Sequence, residues 1–125
     1  MFSLGLRREF QAQHYLVGAD WGAENAPHEH EYVLEVILNG EPLNKHGFLL
    51  DIEDVNWHLD ELIAQFQGST LNTLPDFEGL NPSLERFARI LCAALANRIR
   101  TEEMSAITIK LWESSLAWAS YKLEF

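Results

Sequence analysis

The chain has 125 residues, 47% of them hydrophobic, and 19 acidic against nine basic side chains give it a formal net charge of −10. That length supports one compact domain with its own core and is short for two, so residues 1–125 are read as a single domain. The charge repels phosphate backbones and anionic lipid surfaces, and no apolar run approaches the roughly 18 residues of a membrane span, which sets nucleic acid and membrane aside as expected partners.

The chain opens on charges at Arg7, Arg8 and Glu9 instead of the apolar core of a secretory signal, which points to a cytoplasmic protein. From Leu4 to His14 the even positions Leu4, Leu6, Phe10, Ala12 and His14 alternate with small or polar residues, the period of a half-buried strand. Residues 15–27 contain Gly18, Gly22 and Pro27, lack periodicity and read as a loop carrying Asp20 and Glu24. A second strand follows, with His28, His30, Tyr32, Leu34, Val36 and Leu38 on one face, and is expected to end in a turn at Asn39-Gly40. Asp51 has the chemistry of a helix cap, and Val55, Leu59, Leu62, Ile63 and Phe66 follow at helical spacing up to a stop at Gly68.

After a long loop through Pro75 and Gly79, a second helix is expected with Asn81 as its cap and Pro82 in its first turn. Its apolar stripe runs through Leu84, Phe87, Ala88, Leu91, Leu95 and Ile99, and the single cysteine, Cys92, is read as a small buried hydrophobe in a reducing setting. Two alternating runs, Ile107 to Glu113 and Ala117 to Phe125, make a closing hairpin around Ser114-Ser115. The order strand, strand, helix, helix, strand, strand predicts an α+β protein with a four-stranded antiparallel sheet and two helices on one face.

Two histidines at i and i+2 on a strand share a side, and His14 at the end of a neighbouring strand completes a trio able to surround one metal ion. Zn2+ is the expected ion, because three neutral nitrogen ligands leave its fourth position open for chemistry. An isolated H-x-H pair is more often a pair of surface or interface histidines, so the pair alone is a weak signal. Glu113 is an acid at an otherwise apolar strand position, and Glu24 lies four residues before His28, where a carboxylate could accept a proton from a metal-polarised substrate. Glu85 serves either a ligand or the helix dipole. The four tryptophans serve either stacking on a flat ring or packing.

These segments resemble the 6-pyruvoyl- and 6-carboxy-tetrahydropterin synthases. Phe10-Gln11-Ala12-Gln13-His14 is similar to the family's F-x-A-x-H strand end, and His28-Glu29-His30-Glu31-Tyr32 to its H-G-H-x-Y segment. Gly47 to Asp51, Leu71-Asn72 and Asn81-Pro82-Ser83-Leu84-Glu85 are similar to the G-M-V-x-D, L-N and N-P-T-x-E elements. The resemblance implies zinc on His14, His28 and His30, and a pterin held at its amidine edge by Glu113, with Ser83 and Glu85 also on the substrate. It further implies the tunnelling fold, in which such sheets join into a trimeric barrel and two trimers stack, so the chain is expected to be a homo-oligomer.

The departures carry information as well. Glu24 stands where the family usually has a catalytic cysteine, and Gln67-Gly68 replaces an Asp-His pair that precedes the L-N. One branch of the family carries glutamate at that place and cleaves the side chain of dihydroneopterin triphosphate to a 6-hydroxymethyl product, which implies a lyase with Glu24 as base. The alternatives are a pterin- or purine-binding homologue without turnover, a 6-carboxy-tetrahydropterin synthase of queuosine-type 7-deazapurine synthesis, and an oligomeric interaction protein whose histidines hold nothing.

Overall fold

The computed structural model describes all 125 residues. The elements in chain order are β1 (Phe2–His14), β2 (His28–Gly40), α1 (Ile52–Ala64), α2 (Leu84–Ile99), β3 (Met104–Trp112) and β4 (Trp118–Glu124). The strands form one antiparallel sheet in the order β1-β2-β3-β4. β1 and β2 stay in unbroken register from Phe2 opposite Gly40 to His14 opposite His28.

Alternation decides which face is covered. Phe10, Ala12, Tyr32, Leu34, Val36 and Leu38 join Ile107, Ile109 and Leu111 in a continuous core with the apolar stripes of both helices. The intervening positions of β1 and β2, including Arg7, Glu9, Gln11, Glu29 and Glu31, face away from the helices. Tyr32 is buried at the histidine end of this core, its ring stacked 5.3 Å from Phe10 and edge-on to Phe87 at 5.2 Å. Phe87 in turn meets Phe66 at 5.2 Å and Phe77 at 5.6 Å, so both the α1 end and the following loop are anchored under the same aromatic group. Large rings buried at this density supply about 1.5–3 kcal/mol each and leave the histidine end of the sheet a firm floor.

α1 begins as expected, with the Asp51 carboxylate accepting from the Glu53 N–H at 3.0 Å. Three local expectations are corrected. The α1 helix ends at Ala64, and turns carry the chain on to Gly68, which holds a positive φ of 72°. Asn39-Gly40 is not a hairpin turn. The strand runs through it with a register shift against β3, because the backbone of Glu103 passes so close to Gly40 that a Cβ there would meet its carbonyl oxygen. The cap of α2 is Ser83, whose Oγ accepts from the Arg86 N–H at 3.2 Å, whereas Asn81 spends its side chain on the Val17 N–H at 3.2 Å. Both residues are good caps, and the tertiary bond to Val17 decides between them.

Candidate functional site

The β1–β2 register sets His14 directly across from His28 and Ala12 across from His30, which brings the three imidazoles to one end of the sheet on its helix side. Their ring centroids are 4.6, 4.8 and 4.9 Å apart. One ligand nitrogen from each lies within 4.8 Å of the other two.

Backbone carbonyls orient two of the rings. His14 Nδ1 lies 3.0 Å from the Pro82 carbonyl and His28 Nδ1 lies 2.9 Å from the Ala26 carbonyl. A carbonyl can only accept, so each Nδ1 carries the proton and each Nε2 keeps its lone pair. His28 Nε2 is buried and has no hydrogen-bond partner. Leaving such an atom unpaired costs about 1–3 kcal/mol, and two further imidazoles beside it make the cost intelligible as a set of metal ligands. His14, the one polar residue among the buried ones, is held below the ordinary histidine pKa of 6.5. Burial is the main cause; His30 and His28 push the same way, while the Pro82 bond and the charge of Glu24 oppose it. His14 is thus biased toward its neutral, ligating form.

Glu24 sits exposed in a short 3-10 turn, Gly22–Asn25. The loop that carries it is folded on itself: Leu16 N–H donates to the Glu24 carbonyl at 2.8 Å, and Asn25 donates to the carbonyls of Leu16 and Ala19 at 3.0 Å each. The loop leaves from His14 and returns to His28, and the charge of Glu24 is the smallest of the influences on His14. The one cysteine is elsewhere. Cys92 is fully buried in the core, its thiol 3.6 Å from the Ile107 carbonyl and held above its ordinary pKa by burial.

Glu113 lies one residue past the end of β3, beyond the Val33–Trp112 pair and beside the stretch of β2 that holds Tyr32. Its charge, after burial, raises the pKa of that phenol. Tyr32 also meets His30 edge-on at 5.8 Å, and so forms a buried step between the trio and Glu113. Ser83 and Glu85 make no hydrogen bond to the trio. Ser83 is occupied by its capping bond and Glu85 is exposed in the first turn of α2.

Several groups position the site in ways that their sequence motifs did not disclose. The Pro82 carbonyl is a backbone atom without a side-chain signature. Asn72 grips the residue after His14 from both sides, accepting from Tyr15 N–H at 3.0 Å and donating to the Tyr15 carbonyl at 2.8 Å. The segment before it braces the outer edge of β1: the Gln67 side chain accepts from Gln11 N–H at 3.0 Å, Gly68 N–H donates to the Gln11 carbonyl at 2.7 Å, and Gln13 N–H donates to the Ser69 carbonyl at 2.8 Å. Of the remaining histidines, His46 lies in an exposed loop and His58 on α1 lies 3.8 Å from Asp54.

The model of the 6-pyruvoyl tetrahydropterin synthase family matches residues 3–124. The chain belongs to this family. The sheet with two helices on one face is the family's tunnelling fold, and the family's members are enzymes that act on pterins. Among solved structures, 6-pyruvoyl tetrahydropterin synthase of Caenorhabditis elegans superposes with a TM-score of 0.83 at 19% identity, covering 98% of this chain and 96% of that one. A catalytic-residue variant of the Plasmodium vivax enzyme, with alanine in place of glutamate, matches at a TM-score of 0.78 and 14% identity over the whole of both chains. A guanine-bound dihydroneopterin aldolase from Burkholderia matches more distantly, at a TM-score of 0.53 and 11% identity over 98% of this chain and 88% of that one. A search among curated protein sequences finds no match.

Proposed function

We propose that this chain is a zinc-dependent lyase that cleaves the hydroxylated side chain of a dihydropterin of the dihydroneopterin type. His14, His28 and His30 would hold the zinc, and Glu24 would act as the base. One observation carries the choice of base. Glu24 is the carboxylate of the turn Gly22–Asn25, in the loop that joins His14 to His28, while the only thiol of the chain is sealed in the core. The catalytic glutamate replaced in the Plasmodium vivax variant supports a carboxylate in this role.

Bound at the three imidazoles, zinc would polarise the side-chain hydroxyls of the substrate. Glu24 takes the proton from the hydroxyl on the second side-chain carbon, and the bond between the first and second carbons breaks. Its electron pair passes to the first carbon and the pterin ring. Glu24 returns the proton to that carbon, giving a 6-hydroxymethyl product and a two-carbon aldehyde. Glu113 accepts two N–H bonds from the amidine edge of the ring, a paired contact that fixes orientation as well as adding energy. Ser83 and Glu85, just past the Pro82 carbonyl that orients His14, would border the same slot. The unpaired edge of β4, and that of β1 ahead of the brace at Gln11 and Gln13, support assembly of copies into a trimeric barrel.

A Glu24→Gln variant should retain zinc and lose turnover by two or more orders of magnitude, read by separating the products of dihydroneopterin and of its triphosphate. Unchanged turnover would remove Glu24 from the mechanism. A second reading, a pterin- or purine-binding homologue without turnover, is supported by the brace at Gln67-Gly68, which stands where the family's Asp-His pair would be. Ring binding without any product from either compound would establish it.

A further inference from the structure

Phosphate recognition needs cations, and in this chain nearly all of them are committed elsewhere. Three are in ion pairs: Arg8 with Asp60 at 2.7 Å, Arg7 with Glu9 at 3.0 Å and Lys122 with Glu124 at 3.5 Å. Three more lie over aromatic rings. Lys110 Nζ is 4.9 and 4.1 Å from the ring centres of Trp112 and Trp118, Arg89 covers Tyr121 at 5.6 Å, and Arg100 covers Phe125 at 4.1 Å.

Of the three that remain, two are remote from the histidine trio. Lys45 lies in the loop beyond Gly40, the end of β2 that is separated from His28 by the strand's full length of roughly 40 Å. Arg98 is in the last turn of α2, about 20 Å along the helix axis from the Ser83 cap. Arg86 alone is near, its Nη1 3.4 Å from the Asn81 carbonyl, and Glu85 stands beside it.

The acids are distributed the opposite way. Glu24 lies in the loop that joins His14 to His28, Glu113 lies one residue past the end of β3, and Glu85 opens α2. On the other face of the sheet, Glu113 also borders a cleft of about 620 Å³ whose walls include Glu9, Glu31 and Glu35, with Arg7 the one cation, already paired to Glu9. A terminal phosphate carries about 1.5 to 2 negative charges near neutral pH, and a triphosphate carries more. Such a group would enter a field of its own sign with one arginine to meet it.

We infer that the preferred substrate of this site is a dihydropterin with an uncharged polyol side chain, and that phosphorylation of the side chain weakens both binding and turnover. This rests on the lyase reading for its chemistry and on the charge distribution for its selectivity. Hydroxyl groups need only the open side of the metal trio and Glu24, both of which are in place, whereas a phosphate needs a cation cluster.

The zinc-loaded protein should be given dihydroneopterin, its monophosphate and its triphosphate in parallel, with dissociation constants from pterin fluorescence and kcat/KM from product separation. Affinity and kcat/KM should both fall along that series, by about 10-fold or more from first to last. The deficit of the triphosphate should shrink as ionic strength rises from about 0.05 to about 0.5 M, as for any repulsion between exposed charges. Arg86→Ala should change the ratio between the end members by less than 2-fold. Triphosphate cleaved faster than dihydroneopterin, or a selective loss of triphosphate binding in Arg86→Ala, would overturn the inference while leaving the lyase intact. Tighter binding of dihydroneopterin with no cleavage of any compound would uphold the selectivity and refute the lyase. No binding of any of the three would refute both.

Discussion

Replacing Asn72 by alanine removes both hydrogen bonds that hold Tyr15, at 3.0 and 2.8 Å, without touching a histidine. The site is partly buried, so the freed N–H and C=O are only partly rescued by water, and each lost bond costs about 0.5–1.5 kcal/mol, or about 1–3 kcal/mol together. For a domain of this size that is a fall in Tm of roughly 3–10 °C. Tyr15 is the residue after His14, and the strand end positions that ring against its Pro82 acceptor, so zinc affinity should fall as well, by about 10-fold, the low end of the cost of losing an outer partner of a ligand. Thermal melts of the metal-free protein report the first effect and competition with a chromogenic chelator the second. A variant that melts within about 1 °C of the parent and holds zinc equally well would show that the Asn72 clamp does not support His14.

The pH dependence follows from the lowered pKa of His14. The unfolded chain takes up this proton at an ordinary histidine pKa of 6.5 and the folded chain only at lower pH, so stability of the metal-free protein is full above 6.5 and falls as pH drops below it. Urea titrations at pH 7.5 and pH 5.5 should show the loss, and His14→Gln should flatten it; an unchanged midpoint would contradict the burial argument. Gly40→Ala drives a Cβ into the Glu103 carbonyl and the Leu49 side chain, and overpacking of this kind costs about 1–3 kcal/mol. A denaturation midpoint equal to that of the parent would mean that the bulge can open at no cost.

Much of this architecture was legible because strands and helices bury opposite periods. The apolar even positions of β1 up to His14 and of β2 from His28 to Leu38 share the helix side of the sheet, and the three histidines fall in that phase, so their common side could be read from the alternation. The register could not. Nothing in the alternation distinguishes His14 opposite His28 from a pairing two residues displaced, and the convergence of the trio depends on it. Asn81 and Ser83 are chemically equivalent candidates for the α2 cap until Val17 claims one of them. Asn39-Gly40 has the composition of a turn, but the glycine is there because another backbone passes against it, a tertiary fact without a local signature. The Pro82 and Ala26 carbonyls that orient two imidazoles belong to the main chain, which every sequence shares.

The central claim is a divalent ion held by three convergent imidazoles. X-ray absorption at the zinc edge, on protein loaded with one equivalent of zinc, tests it most directly. The account predicts three imidazole nitrogens at about 2.0–2.1 Å plus one oxygen ligand, with the signal lost in His14→Ala, His28→Ala and His30→Ala alike. Zinc that fails to bind, or a coordination shell that survives removal of any one of these histidines, would contradict it.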